Sequence, residues 1–285
     1  MSPDPGPKRL WIRFVGAPLL IAALLGILWH GYQSSTNIGL RAVVGLLSLV
    51  ALHEVYAMMR LKGLKPAAWI GLAGLLLAHV AAAPRVERLV HATPEGVAAG
   101  TAIAVLLWMV FRYGAFEPSD AGATLLGFGW LWLTTYMVRW VITEEGGLWW
   151  LLFLLATNKG SDMAAFCAGK LVGRHKLAPV VSPNKTWEGS IAGFVAGGGL
   201  GTAVLFLKMR GFFPGAMETI LVLAAAMTTV AAQLGDLVKS AVKRWAGVKD
   251  SGRLLPEFGG ALDMIDSFIL SAPVAWLFAV WLGGR

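Results

Sequence analysis

A single cysteine, Cys167, stands in 285 residues. That excludes an intrachain disulfide and any CxxC metal site. Charge is scarce too: Asp, Glu, Lys and Arg make up 14% of the chain, which is little for the surface of a water-soluble domain of this length. No GxxxxGK[ST] occurs, so a P-loop is excluded, and neither HExxH nor GxSxG is present. The histidines, His30, His53, His79, His91 and His175, are scattered and show no metal-ligand spacing.

Apolar residues are abundant. They form 57% of the chain, with thirteen Trp and a mean hydropathy of +0.67. Runs of about 17–25 apolar residues match the length of a bilayer-crossing helix. Nine such runs are expected, near 14–32, 37–59, 66–83, 95–111, 121–142, 147–169, 190–209, 217–238 and 261–283. Their length and weak period-2 alternation select helices. The expected fold is an all-α polytopic integral membrane protein with about nine transmembrane helices. The first run has no convincing small-residue cleavage site and is expected to be retained. Residues 1–13 are Pro-rich and then basic, and are expected to be a disordered segment. The sequence shows no internal repeat, so 14–285 is taken as one membrane domain.

The net charge is +8. In a chain this apolar, that reports positive cytoplasmic loops and anionic lipid, not nucleic acid. With the N-terminus cytoplasmic, sixteen of the 24 Lys and Arg fall on the cytoplasmic side, including those of both polar loops, 170–189 and 239–260. The opposite loops hold six, and Arg41 and Lys159 lie within spans.

The chemistry is expected in two stretches. The first, Gln233 to Asp266, carries Asp236, Asp250, Glu257, Asp263 and Asp266 beside Lys239, Lys243, Arg244, Lys249 and Arg253. Ionisable groups beside hydrocarbon are expensive and mark function. Asp263 and Asp266, three apart, share a helix face, and Asp236 approaches from the preceding, oppositely directed span. Three converging carboxylates repel one another unless a cation lies between them. Mg²⁺, which takes few carboxylates plus phosphate and water, is the expected cation. A plainer role as helix-start acids is the alternative for Asp263 and Asp266. Asp236, Lys239, Ser240 and Lys243 form one polar stripe. Lys243 and Arg244 either hold phosphates or anchor to lipid headgroups.

The second stretch is Asn158 to Gly189. Asn158, Lys159 and Asp162 interrupt an apolar segment, with Asn158 and Asp162 four apart on one face and Lys159 expected to pair with an aspartate. Ser182, Lys185 and Thr186 offer donors to a phosphate. Trp187 is either a stacking face or an interfacial aromatic. His53-Glu54 intrudes near the end of the second span, where Glu54 either pairs with a base or caps a helix.

Near the C-terminus the motif Ser240, Lys243, Arg244, Lys249, Asp250, Gly252, Leu255, Pro256, Gly259, Gly260, Asp263, Asp266 resembles the signature of the phosphatidate cytidylyltransferases, or CDP-diacylglycerol synthases. Gln233-Leu234-Gly235-Asp236 resembles the family as well. So does the series Asp162, Gly169, Gly173 to Pro179, Ser182-Pro183 and Lys185 to Gly189, which includes Glu188; Ala51 to Glu54 does so more weakly. The resemblance is concentrated in 156–270. It implies transfer of a cytidylyl group from CTP to phosphatidate, with pyrophosphate released, in a bacterial inner membrane or an organelle membrane, the active site facing the cytoplasm. It implies Mg²⁺ at Asp236, Asp263 and Asp266, with K⁺ beside it. Catalytic roles then fall on Asp236, Lys243, Arg244, Asp250, Asp263 and Asp266, and substrate binding on Asp162, Ser182, Lys185, Thr186, Trp187, Glu188, Ser240 and Lys249. Three positions depart from the signature: Phe258 replaces the usual His, Met264 the usual Arg, and Ala261 a larger apolar residue. The carboxylates and Lys243-Arg244 survive, and with them the expected chemistry. A homodimer is left open. The rival functions are another CTP-using lipid enzyme, such as a polyprenol kinase or CDP-archaeol-type synthase, and an ion-coupled transporter. The missing repeat counts against the transporter.

Overall fold

A computed structural model describes residues 38–83, 86, 89, 91–143, 147–209, 216–252, 260–265 and 268–283. The expected N-terminal segment 1–13 and first span, and Asp266, Arg253, Glu257 and Phe258, lie outside the described residues. The helices are α1 (Ile38–Arg60), α2 (Ala68–Ala81), α3 (Pro94–Phe111), α4 (Pro118–Thr143) and α5 (Gly147–Leu171). After a two-stranded antiparallel hairpin, β1 (Lys176–Ala178) and β2 (Ser182–Thr186), come α6 (Trp187–Met209), α7 (Ala216–Ala246), α8 (Ala261–Ile265) and α9 (Phe268–Gly283). The small hairpin is an addition to the all-α expectation.

Among the described residues, five segments are long and apolar enough to cross a bilayer: Arg41–Arg60, Pro94–Phe111, Trp187–Lys208, Glu218–Ala246 and Ala261–Leu282. Ala68–Ala81 is a shorter apolar helix. α4 and α5 have 26 and 25 residues but are not among those five segments; α5 carries Asn158, Lys159 and Asp162. This is a helical membrane protein, and among the described residues the apolar runs fold as helices.

Local chemistry sets the ends. Thr93 caps α3 by accepting from Gly96 N at 3.1 Å, with Pro94 in the first turn, where no N–H is needed. α7 ends in a Schellman turn. Gly247 has φ +81°, a left-handed conformation that suits glycine. Its N–H donates to Arg244 O, and Val248 N donates to Lys243 O. The turn sends the chain back towards the end of α7.

The core has two centres. In one, Leu52, Val55 and the fully buried Tyr56 of α1 pack with Leu75 of α2, Phe128 and Leu131 of α4, and Leu262 of α8. Tyr56 satisfies its hydroxyl by donating to Thr124 O at 2.8 Å. In the other, Trp150, Phe153 and Leu154 of α5 meet Leu205 of α6, Leu221 and Ala225 of α7, and Ala275 of α9.

The helix pair with the most extensive contact is α5–α6. Gly189, Gly193, Gly197 and Gly201 recur every four residues and so line one face of α6. A Cβ on Gly197 would lie 2.6 Å from Thr157 O, one on Gly193 2.8 Å from Ser161 O, and one on Gly189 2.6 Å from Ala165 O. Small residues let two helix backbones approach where lipid offers no hydrophobic drive. This packing fixes the hairpin between α5 and α6, which carries Lys185 to the site.

Candidate functional site

The polar residues gather at one end of the bundle, around the last turns of α7. At about 1.5 Å per residue, its 31 residues are about 46 Å long against a hydrocarbon core of roughly 30 Å. The surplus is the stretch that carries Asp236, Lys239, Ser240, Lys243 and Arg244. Helical spacing puts the first four on one stripe, and the surrounding elements close on that stripe from two sides.

From β2, Lys185 Nζ reaches Asp236 Oδ2 at 2.6 Å. Lys239 Nζ lies 3.2 Å from Asp236 Oδ1 and 3.3 Å from Asp263 Oδ1. Lys243 Nζ donates to Asp263 Oδ1 at 2.7 Å. The result is a continuous chain: Lys185, Asp236, Lys239, Asp263, Lys243. Lys239 is its most buried member, with 7% of its side chain exposed, while Asp236 and Lys185 keep 23% and 27%. Three ammonium groups against two carboxylates leave +1, a charge suited to an anion.

The far side of Asp263 is held by neutral donors. Ser251 N and Oγ donate to Oδ2 at 3.1 and 3.0 Å. Ser251 arrives there through the Gly247 turn. Its hydroxyl also lies 2.8 Å from Glu54 Oε2, from α1. Below the chain, Gln233 ties three helices one turn before Asp236. Its Nε2 donates to Ser161 Oγ and Ser190 O, both at 3.0 Å, and its Oε1 accepts from Ser190 Oγ at 2.5 Å.

The structure brings Asp236, Asp263, Lys185 and Lys243 together. Arg244 is exposed, and its Nε donates to Val181 O at 3.3 Å, which joins α7 to the hairpin. The hairpin and the described part of the second polar stretch, 239–252, thus lie on the same side of the bundle. Thr186, expected to face phosphate, is buried, and its hydroxyl accepts from Gly189 N at 3.2 Å as the cap of α6. Glu188 holds His175, accepting from its backbone N and lying 2.6 Å from its Nδ1. Trp187 is 55% exposed. Ser182 and Ser240 are half-buried, and Lys249 and Asp250 are exposed. Asp162 lies exposed on α5, 3.7 Å from Lys159, whereas Asn158 is fully buried and donates to Ser271 Oγ at 3.0 Å. Although four residues apart, Asn158 and Asp162 therefore have different surroundings. Asp266 is outside the described residues, and these include no group of three or more His, Cys, Asp or Glu placed to hold a metal.

Sequence reasoning set the carboxylates against one another and called for a metal between them. The fold places Lys239 between two of them. Spacing assigns no role to Ser251 and does not show what Gln233 and Glu54 reach across the fold. The signal for Lys239 was in hand, because i,i+3 and i,i+4 spacing puts it beside Asp236 on the same stripe.

Among the described residues, apolar helices and an ionic chain gathered at the end of α7 define a polytopic membrane protein with a charged site at one end of its bundle. The chain belongs to the cytidylyltransferase family, whose model matches residues 11–282. A phosphatidate cytidylyltransferase of Brucella suis is 34% identical over 277 residues, covering 95% of this chain and 93% of its own. One from Staphylococcus aureus is 31% identical over 270 residues, covering 92% and 96%. One from Mycobacterium bovis is 30% identical over 249 residues, covering 83% and 78%.

Proposed function

We propose that this protein transfers the cytidylyl group of CTP to phosphatidate, giving CDP-diacylglycerol and pyrophosphate. The observation that carries the reading is the ionic chain from Lys185 to Lys243 at the polar end of a lipid-embedded bundle. An oxygen of the lipid phosphate attacks the α-phosphorus of CTP, and the bond from that phosphorus to the bridging oxygen of the β-phosphate breaks. The attacking phosphate is already a nucleophile, so the barrier is charge crowding. Lys185, Lys239 and Lys243 are the groups placed to relieve it, by turning from carboxylate to phosphate. Arg244, Lys249 and Asp250, at the rim, would meet the soluble substrate, with Ser182 and Ser240 as hydroxyl donors.

Mg²⁺ is proposed as the resident metal. The donor set suits a hard cation, because Asp236 Oδ1 and Asp263 Oδ1 both face one cation position, taken by the Lys239 ammonium at 3.2 and 3.3 Å. When bound, the metal neutralises phosphate charge and acts as a Lewis acid. Asp266 completes the proposed ligand set, and K⁺ is proposed beside it by resemblance to the family. The excess of Lys and Arg supports a cytoplasmic N-terminus and a site facing the cytoplasm in a bacterial inner membrane.

Purified protein in detergent, given radiolabelled CTP and phosphatidate with and without Mg²⁺, tests the reaction. Label in CDP-diacylglycerol with stoichiometric pyrophosphate is expected. A kinase would instead release CDP, and that product would replace the reading.

A further inference from the structure

The Glu54 carboxylate sits outside the ionic chain yet touches the elements that hold it. Glu54 belongs to α1, about 200 residues before α8 in sequence, and is 6% exposed. Its Oε1 accepts from Ala261 N at 2.9 Å, and its Oε2 accepts from Leu262 N at 3.0 Å. These are the first amides of α8, which have no partner inside so short a helix. The same Oε2 lies 2.8 Å from Ser251 Oγ, and that hydroxyl lies 3.0 Å from Asp263 Oδ2. Gly252 and Gly260 make room for this arrangement. A Cβ on either would overlap the Glu54 carboxylate. A single carboxylate therefore fills a cradle between two glycines, holding the backbone just before Asp263 and the Ser251 hydroxyl beside it.

We propose that Glu54 is a positioning residue for Asp263, acting through Ser251 and the first turn of α8. The proposal rests on the reading of Asp263 as part of the working site. Without Glu54, two buried amides lose their acceptor, and α8 is free to rotate the Asp263 carboxylate away from Lys239 and Lys243. Misplacement by about 1 Å is enough to lower turnover roughly 10²-fold. A role confined to stability would instead lower the amount of folded protein and leave the turnover of the folded fraction intact.

Two variants and two readouts test this. Glu54→Gln keeps the size and removes one acceptor oxygen. Ser251→Ala removes only the hydroxyl between the two carboxylates. Each should lower kcat about tenfold to 10²-fold, with the CTP KM within about threefold. The double variant should be no slower than the slower single one, because both act along one path. Hydrogen exchange read on a peptide covering 260–265 should be faster in Glu54→Gln than in wild type. If Glu54→Gln does not fold, Ser251→Ala decides. A Ser251→Ala enzyme with wild-type kcat overturns the proposal, and so does unchanged exchange at 260–265 in Glu54→Gln. A wild-type protein that makes no CDP-diacylglycerol sinks the proposed function, while the exchange measurement still decides the clamp.

Discussion

Between α5 and α6 the contact is made by glycines and backbone oxygens; between β2, α7 and α8 it is made by ammonium and carboxylate groups. Both interfaces join neighbouring elements at short range. The first packs surfaces that have no alternative partners in lipid, so its tightness is the whole of its contribution. The second packs groups that prefer water and that, in the proposed function, substrate phosphates recruit away. Buried ion pairs return little net stability against their desolvation. Retaining three lysines and two aspartates at one end of a bundle is therefore better explained by what they bind than by what they hold together. Damage to the two interfaces should accordingly appear in different measurements.

The largest effect is expected at the centre of the ionic chain. Asp236→Asn and Asp263→Asn should each reduce turnover by at least roughly 10²–10³-fold, the scale of one preorganised electrostatic contact. The protein should still insert and purify, and the two losses should not add. Activity against Mg²⁺ concentration is the measurement. Near wild-type turnover with unchanged Mg²⁺ dependence in both would remove them from the site. Lys185→Ala comes next. Loss of one charged hydrogen bond, about 1.5–3 kcal/mol, corresponds to a tenfold to roughly 10²-fold fall in turnover. An unaltered rate would leave Lys185 a tether for the hairpin only.

Gly197→Leu tests the other interface. The new side chain meets Thr157 O and Ser161, and overpacking of this kind costs about 1–3 kcal/mol. The expected readout is a lower unfolding temperature, with turnover per folded molecule falling less than in Lys185→Ala. A variant that folds normally yet works slowly would show that the two interfaces are coupled. The smallest effect is expected for Lys159→Gln. Its pair with Asp162 is about half exposed at 3.7 Å, and such pairs contribute about 0–1 kcal/mol. A loss of thermal stability well beyond that range would mean that Lys159 does more than balance Asp162.

Much of the fold was legible because hydrophobic run length is a strong signal in a membrane protein. The runs expected near 37–59, 66–83, 95–111, 121–142, 147–169 and 190–209 each fall on one helix, whereas α7 continues beyond the expected 217–238 to Ala246 and the run 261–283 falls on both α8 and α9. The hairpin at 176–186 was not foreseen, since a strand of three residues leaves no periodicity to read. The glycine series 189, 193, 197 and 201 was readable as a helix-packing face and went unread. In the site, the stripe on α7 followed from spacing alone. What spacing cannot supply is the partner across the chain. Glu54 was noticed as a polar intrusion, but nothing near it in sequence says that it reaches Ala261 and Leu262. Thr186 reads as a hydroxyl donor by residue type, and only its place at the start of α6 shows that its oxygen also caps that helix.

The glycine face of α6 also bears on the order of assembly. α5 and α6 are consecutive and joined by a short hairpin, so the pair can close before the residues after 216 have been synthesised. A chain ending at Met209 should therefore still insert with α5 and α6 protected from protease as one unit. Lys185 is presented at the rim of that unit while Asp236 is still unmade. The charged site is then completed last, when α7 arrives at a partner that close packing on glycine has already set in place.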